Sequence, residues 1–254
     1  MHTEESNTQL LNAYRTDGFA ALPGFIGGDE LDQLIANVDR FISEIVPNLP
    51  PEDAFYEERS DPKTLKQIQK MDVHDEWFHG LVTGRVRQIA ELLLDGPVVP
   101  RNLQYFNKPP SVGRATPAHQ DGYYFMLKPC EAVTMWLALD DVDEENGCVR
   151  YIRGSHKRGM RQHSRTTTLG FSQGITDFPT GDDEEHEIAL PARSGDLLVH
   201  DAMTIHRADA NRSPTRTRKA LGFVYYSERA REDTEAHAAY QRKLTREMKE
   251  SGMI

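Results

Sequence analysis

The chemistry of this chain concentrates in Thr116-Pro117-Ala118-His119-Gln120-Asp121-Gly122-Tyr123. A histidine and an aspartate two positions apart on an extended segment project to the same side, because strand side chains alternate faces. One imidazole and one carboxylate on a common face supply two of the three ligands of a facial metal triad. Non-haem Fe(II) chemistry uses that arrangement because it leaves several coordination positions open for a cosubstrate and O2. The third ligand is expected to be a second histidine from a distant strand, and Thr204-Ile205-His206-Arg207-Ala208 offers His206. Further on stands Arg218, whose planar guanidinium suits a carboxylate clamp with two parallel hydrogen bonds.

Each of these residues has a plainer reading. His119 and Asp121 alone are more often a hydrogen-bonded pair beside a turn; the company of His206 and Arg218 argues otherwise. His200, after the Gly195-Asp196 turn, competes with His206, and a pairing of His200 with Asp201 is an alternative. His156 reads as a loop-ordering residue, while His74, His79, His163, His186 and His237 read as solvent-facing. Arg216 sits two positions before Arg218 and shares its face, so either serves as the clamp. Tyr123 shares the face of His119 and Asp121 by alternation, which makes it a substrate-contact candidate. Tyr105 and Trp136 fit core positions. Arg158, Arg161, Arg165 and Arg193 fit scattered surface cations better than an anion site. The acidic run from Asp140 to Glu145 lacks the ligand alternation of a calcium loop and reads as a solvated turn.

Helical and extended segments must hold these residues in place. A short helix over Thr8–Arg15 and a short strand over Phe19–Leu22 come first. Asp29 is expected to cap a helix whose apolar stripe is Leu31, Leu34, Ile35, Val38, Phe41, Ile42 and Ile45, stopped by Pro47. Residues 47–62 read as a surface loop. One long helix is expected from His74 to Leu94, ended by Asp95-Gly96-Pro97. From Val98 the pattern changes to short extended runs: Asn102–Phe106, His119–Leu127, Ala132–Leu139, Val149–Ile152, Glu187–Leu190, Leu197–His200 and Ala220–Tyr226. That rhythm belongs to a sandwich or barrel of antiparallel strands. Residues 160–185 read as a long irregular insertion, of the kind that serves as a lid. The expected organisation is one domain over 1–254: a helical part over 1–96, a β core over 97–227 and a helical tail over 228–254.

Composition narrows the partners. With net charge −10 and pI ≈ 5.5, the chain attracts neither nucleic acid nor an anionic membrane surface. No apolar run approaches the length needed to span a bilayer, and Met1–Asn12 lacks a basic-then-apolar leader pattern. Cys130 and Cys148 give neither a disulfide framework nor a paired metal spacing, which suits reduced thiols in a cytoplasmic protein.

Through Asn107-Lys108-Pro109-Pro110, His119-Gln120-Asp121, Glu145-Asn146-Gly147-Cys148 and Gly154-Ser155-His156-Lys157, the sequence resembles the phytanoyl-CoA dioxygenase family of Fe(II)/2-oxoglutarate oxygenases. The matching blocks run over residues 65–226. The resemblance implies a mainly β fold: a double-stranded β-helix (jelly-roll, cupin-like) core with buttressing N-terminal helices and a C-terminal helix. It implies iron on His119, Asp121 and His206, with Trp136 lining the cofactor pocket and Gln104 touching 2-oxoglutarate. The arginine just before Lys219-Ala220 would hold the cosubstrate's distal carboxylate, which points to Arg218. A cosubstrate-contacting lysine of the family falls near Lys66-Gln67.

The implied activity couples oxidative decarboxylation of 2-oxoglutarate, giving succinate and CO2, to O2-dependent hydroxylation of a C–H bond. The family acts on acyl-CoA thioesters, small zwitterions, phosphonates and secondary metabolites, and fold does not choose among them; a small, polar metabolite is the expectation here. A carboxylate at position 121 favours hydroxylation over halogenation, since relatives that halogenate lack it. The sequence also departs from the family. Ala208 stands where a serine often gives the cosubstrate a hydroxyl, and the His206-to-Arg218 spacing is one residue longer than in relatives. A cupin-like binding protein without oxygenase activity is the alternative reading.

Overall fold

The structure, a computed structural model, describes residues 4–166 and 173–250. Its larger sheet has seven strands, in the order Phe19–Leu22, Leu197–Asp201, Ala132–Ala138, Lys219–Ser227, Val98–Asn107, Leu65–Ile68 and Ala54–Tyr56. Its smaller sheet has four: Glu187–Leu190, Val149–Ile152, His206–Ala208 and Thr116–His119. Strands pair antiparallel throughout both sheets.

The two faces of the larger sheet are buried against different partners. On one face Leu103, Tyr105, Met135, Leu137, Leu221 and Phe223 pack against helix residues such as Leu34, Phe41, Phe78 and Ile89. On the other, Phe19, Trp136, Ala138, Leu198 and Ala220 meet Val149 and Tyr151 of the smaller sheet. Burial on both faces explains why Ala132–Ala138 is buried at every position and reads as an apolar run rather than an alternating one. This is the jelly-roll expected of the sequence, with helices at both chain ends; the C-terminal helix spans Thr234–Glu250.

Several local expectations are corrected. The stretch before residue 97 is not only helical: three of its strands extend the large sheet at both edges, and Phe55, within the expected 47–62 loop, is buried on one of them. The helix expected from His74 to Leu94 is three pieces, Met71–His74, Glu76–Thr83 and Arg85–Leu93. Asp75 breaks it by capping the middle piece, accepting from the backbone N–H groups of Trp77 and Phe78, and Gly84 breaks it again at φ −88, ψ −140. Gly28, not Asp29, precedes the second helix, and that helix turns π-helical over Phe41–Ile45. Residues 160–185 are not irregular throughout. They contain the paired strands His163–Arg165 and Gln173–Ile175 and a helix over Gly181–His186. The lid expected there falls partly on 167–172, which lie outside the described residues.

Candidate metal centre

His206 pairs with His119 across the smaller sheet, so both rings project into the space between the sheets with centroids 4.2 Å apart. Asp121 reaches them by a different route from the one its spacing suggested. The strand expected over His119–Leu127 ends at His119, and Asp121 is helical (φ −59, ψ −34) at the start of a short helix over Gly122–Phe125. Strand alternation therefore does not apply past His119.

Gln120 sets this turn. It is fully buried; its amide donates to Gly159 O at 3.0 Å and Met203 O at 2.7 Å and accepts from the Arg161 N–H at 2.8 Å. Gly122 follows because a Cβ there would lie 2.5 Å from Cys130 Sγ.

The ligand atoms of His119, Asp121 and His206 all lie within 4.8 Å of one another. Asp121 Oδ1 is 3.4 Å from His119 Nε2 and 3.7 Å from His206 Nε2. Both histidines place Nδ1 against a backbone carbonyl, Pro117 O at 2.8 Å and Thr204 O at 3.0 Å. A carbonyl only accepts, so each Nδ1 carries the proton and each neutral Nε2 offers its lone pair inward. Burial, then the neighbouring His119 and His200, holds His206 well below the usual imidazole range, which keeps that lone pair free. Burial tends to raise the Asp121 carboxyl while the hydrogen bond from His200 lowers it, and the net result lies well below the usual carboxylate range.

The far oxygen of Asp121 is held separately. Oδ2 accepts from Thr134 Oγ1 at 2.5 Å and from His200 Nε2 at 3.2 Å, and Tyr151 O–H donates to His200 Nδ1 at 3.1 Å. His200, expected as a structural rival of His206, thus orients the carboxylate. Asp201 faces elsewhere, accepting from Tyr14 and the Met203 N–H.

A family model for phytanoyl-CoA dioxygenase matches residues 14–220. The chain belongs to the phytanoyl-CoA dioxygenase family. Among its curated relatives, the peroxisomal phytanoyl-CoA dioxygenase of Rattus norvegicus is 24% identical over 228 residues, covering 84% of this chain and 66% of that protein. Phytanoyl-CoA dioxygenase 1 of Oryza sativa subsp. japonica is 34% identical over 184 residues, covering 66% of this chain and 63% of that protein. This chain thus spans less than two thirds of the length of either. The crystal structure of the epimerase SnoN in complex with Fe3+, alpha ketoglutarate and nogalamycin RO superposes with TM-score 0.71 at 23% identity, over 91% of this chain and 87% of that one. That likeness shows the shared fold.

In this phytanoyl-CoA dioxygenase family member, the remaining candidates separate clearly. Arg218 is buried, its guanidinium 4.9 Å above the Trp136 ring and its Nε donating to Gly147 O at 3.0 Å. Arg216 lies outside, paired with Asp143 at 2.8 Å and with Glu145. Gln104 accepts from Gln67 Nε2 at 2.9 Å; Gln67 Oε1 is buried with no hydrogen-bond partner among the described residues. Lys66 pairs with Glu57 at 3.2 Å.

Tyr123 does not share a strand face with His119; its ring stacks on His163 at 4.3 Å, while Tyr124 meets the His119 ring edge-on at 5.9 Å. His163, expected in solvent, is buried and accepts from the Gln120 N–H at 3.1 Å. His74 is likewise not free, pairing with buried Asp53 at 3.0 Å. No spacing rule reveals His163 or His200, because their partners are remote in sequence. Arg161 is committed to Asp177 and Asp183, each at 2.7 Å. No helix among the described residues is long and apolar enough to cross a membrane.

Proposed function

We propose that this protein is an Fe(II)- and 2-oxoglutarate-dependent dioxygenase that hydroxylates a C–H bond of a small, polar metabolite and releases succinate and CO2. The observation that carries the proposal is the convergence of His119, Asp121 and His206 in an interior that also holds a buried arginine. The donor set fits the metal: two neutral imidazole nitrogens and one ionised carboxylate oxygen suit a ferrous ion and leave the facing positions free. In the family, bound iron and 2-oxoglutarate supply the oxidising chemistry that activates O2.

The chain's own residues do the rest. Thr134 and His200 hold Asp121 Oδ2, which leaves Oδ1, facing the two imidazoles, as the oxygen that would hold the metal. Arg218 would hold the distal carboxylate of 2-oxoglutarate, with its terminal nitrogens available because its Nε is engaged by Gly147. Trp136 walls that end of the pocket. Gln104, with the unpartnered acceptor of Gln67 beside it, offers a polar edge to the bound molecules. Tyr123 and Tyr124 supply aromatic walls at the metal side, where substrate is positioned and water kept out.

The described residues act as one domain, and within the expected 160–185 segment the described residues 160–166 and 173–185 flank the site, where His163 stacks on Tyr123. Tyr124 O–H ties one root of that segment down, donating to Gln173 O at 2.9 Å. The acidic charge and two free cysteines suit a cytoplasmic location without nucleic-acid or membrane partners.

The test is aerobic incubation with Fe(II) and 2-oxoglutarate, measuring succinate, alongside anaerobic titration watching for the ferrous–2-oxoglutarate absorption band. Succinate formation that disappears in His206→Ala supports the proposal. Neither succinate nor the band in the intact protein would leave a cupin-like binding protein.

A further inference from the structure

The fold places two buried cations side by side without a carboxylate partner among the described residues. In the larger sheet Lys219 pairs with Asn107, Ala220 with Phe106 and Gly222 with Gln104. The Lys108 N–H donates to Arg218 O at 3.2 Å, which carries the ladder one residue further and sets Lys108 opposite Arg218. Opposed residues of an antiparallel pair project to one face. Ala220, two positions from Arg218, packs on the inner face against the smaller sheet, so Lys108 and Arg218 point inward as well.

Both are 5% exposed, and their partners among the described residues are neutral. Arg218 engages Gly147 O and the Trp136 ring; Lys108 Nζ donates to Arg114 O and, at 3.3 Å, to Thr116 Oγ1. Gly147 is the wedge between the two cations, since a Cβ there would lie 3.2 Å from Lys108 Cδ. Two like charges buried without an acid are unfavourable unless an anion joins them. In its absence burial, followed by the charges of Arg218 and Lys66, holds Lys108 well below the usual lysine range.

Thr116 supplies a third polar group. It lies directly opposite Ala208 in the smaller sheet, and Ala208 follows His206 by two residues on the same strand, hence on the same inward face. The Lys108–Thr116 hydrogen bond confirms the direction, because it runs from the end of a large-sheet strand to the small sheet across the space between them. The Thr116 oxygen accepts from Lys108, so its own proton is available to a further acceptor.

We infer that Lys108 and Thr116 complete a carboxylate site with Arg218, and that Thr116 supplies from the opposing strand the hydroxyl that alanine at position 208 cannot. The ligand class is a dicarboxylate with one end at the metal. The inference rests on the proposed oxygenase reading and extends it to how this chain holds 2-oxoglutarate.

The test titrates 2-oxoglutarate anaerobically into Fe(II)-loaded protein, read by calorimetry and by the ferrous–2-oxoglutarate absorption band. Thr116→Val weakens 2-oxoglutarate binding roughly tenfold, as expected for losing a hydrogen bond to a charged group, with Fe(II) affinity unchanged. Adding Ala208→Ser to Thr116→Val recovers most of the loss, because the hydroxyl returns to the same face from the paired strand. Lys108→Met weakens binding more than Thr116→Val; should it not fold by near-ultraviolet circular dichroism, the Thr116 and Ala208 pair decides. Wild type forming the band while Thr116→Val binds within twofold of it, or recovers nothing with Ala208→Ser, overturns the inference alone. Wild type binding the dicarboxylate without forming the band, with the variants behaving as stated, sinks the oxygenase reading and leaves the carboxylate site. No dicarboxylate binding overturns both.

Discussion

Asp121 has two oxygens with different duties, and the difference is set by residues that never touch a metal. Oδ2 is occupied by Thr134 and His200; Oδ1 faces the two imidazoles. Thr134→Val keeps the shape and removes one donor, so Asp121 gains freedom to rotate. Loss of such an outer partner costs about 10–100-fold in metal affinity. We expect Thr134→Val to weaken Fe(II) or Mn(II) binding within that range with an unchanged far-ultraviolet spectrum, measured by metal titration. Affinity within twofold of wild type would show that Thr134 does not orient the ligand. At this scale the sequence displayed the residue types of the candidate centre, His119, Asp121 and His206. The strand alternation that singles out Asp121 ends at His119, however, and the choice of His206 over His200 rests on the family resemblance. The polar groups around them were not legible, because Thr134, Tyr151 and His200 reach Asp121 from strands remote in sequence. Arg216 and Arg218 share a face by spacing; the resemblance points to Arg218, which is buried, while Arg216 pairs outside with Asp143 and Glu145.

Elements were legible where hydrogen-bonded ladders follow a regular pattern. Val149–Ile152 and Glu187–Leu190 have the expected bounds. Reading failed where one side chain interrupts the pattern: Gln120 turns the strand after His119, and Asp75 and Gly84 divide a continuous helical stripe. The segment after residue 160 was opaque for a similar reason, its order coming from ion pairs rather than apolar periodicity. Arg161 bridges Asp177 and Asp183, and Asp183 also accepts from the Thr180 N–H at 2.8 Å in a capping box. Burial tends to raise Asp183, but Arg161 and Thr180 overcome it, and the net shift is below the ordinary 3.8. A depressed carboxylate contributes stability that is fully present above its unfolded value and is lost as pH falls through the folded one. The helix over Gly181–His186 should therefore hold down to about the unfolded aspartate value of ~3.9 and loosen below it. Acid-active protease cleavage near this helix, followed against pH, reads the effect. Arg161→Gln should loosen the helix already at neutral pH; equal protection of variant and wild type at pH 7 would count against the ion pairs as its anchor.

The whole molecule uses the two faces of one sheet for two purposes. Helices pack on the outer face around Phe78, which is fully buried and edge-on to Phe41 at 5.3 Å; the candidate metal centre of His119, Asp121 and His206 lies on the inner face. Phe78→Ala should remove about 3–5 kcal/mol of stability by cavity formation. At roughly 2–4 °C per kcal/mol for a chain of this size, the midpoint should drop by about 6–20 °C. Residues on opposite faces with no shared partner behave additively, so Fe(II) affinity should be unaltered. A ligand present at a hundredfold excess over its Kd adds about 2.7 kcal/mol to the folded state. Metal should therefore raise Tm by a similar amount in wild type and Phe78→Ala, about 5–10 °C on the same scale. His206→Ala should show a much smaller metal-dependent rise because the triad is broken. If the sheet instead transmitted strain from its helical face to the metal, Phe78→Ala would lose the metal-dependent rise together with its stability. Differential scanning calorimetry of the three proteins, with and without metal, separates these outcomes.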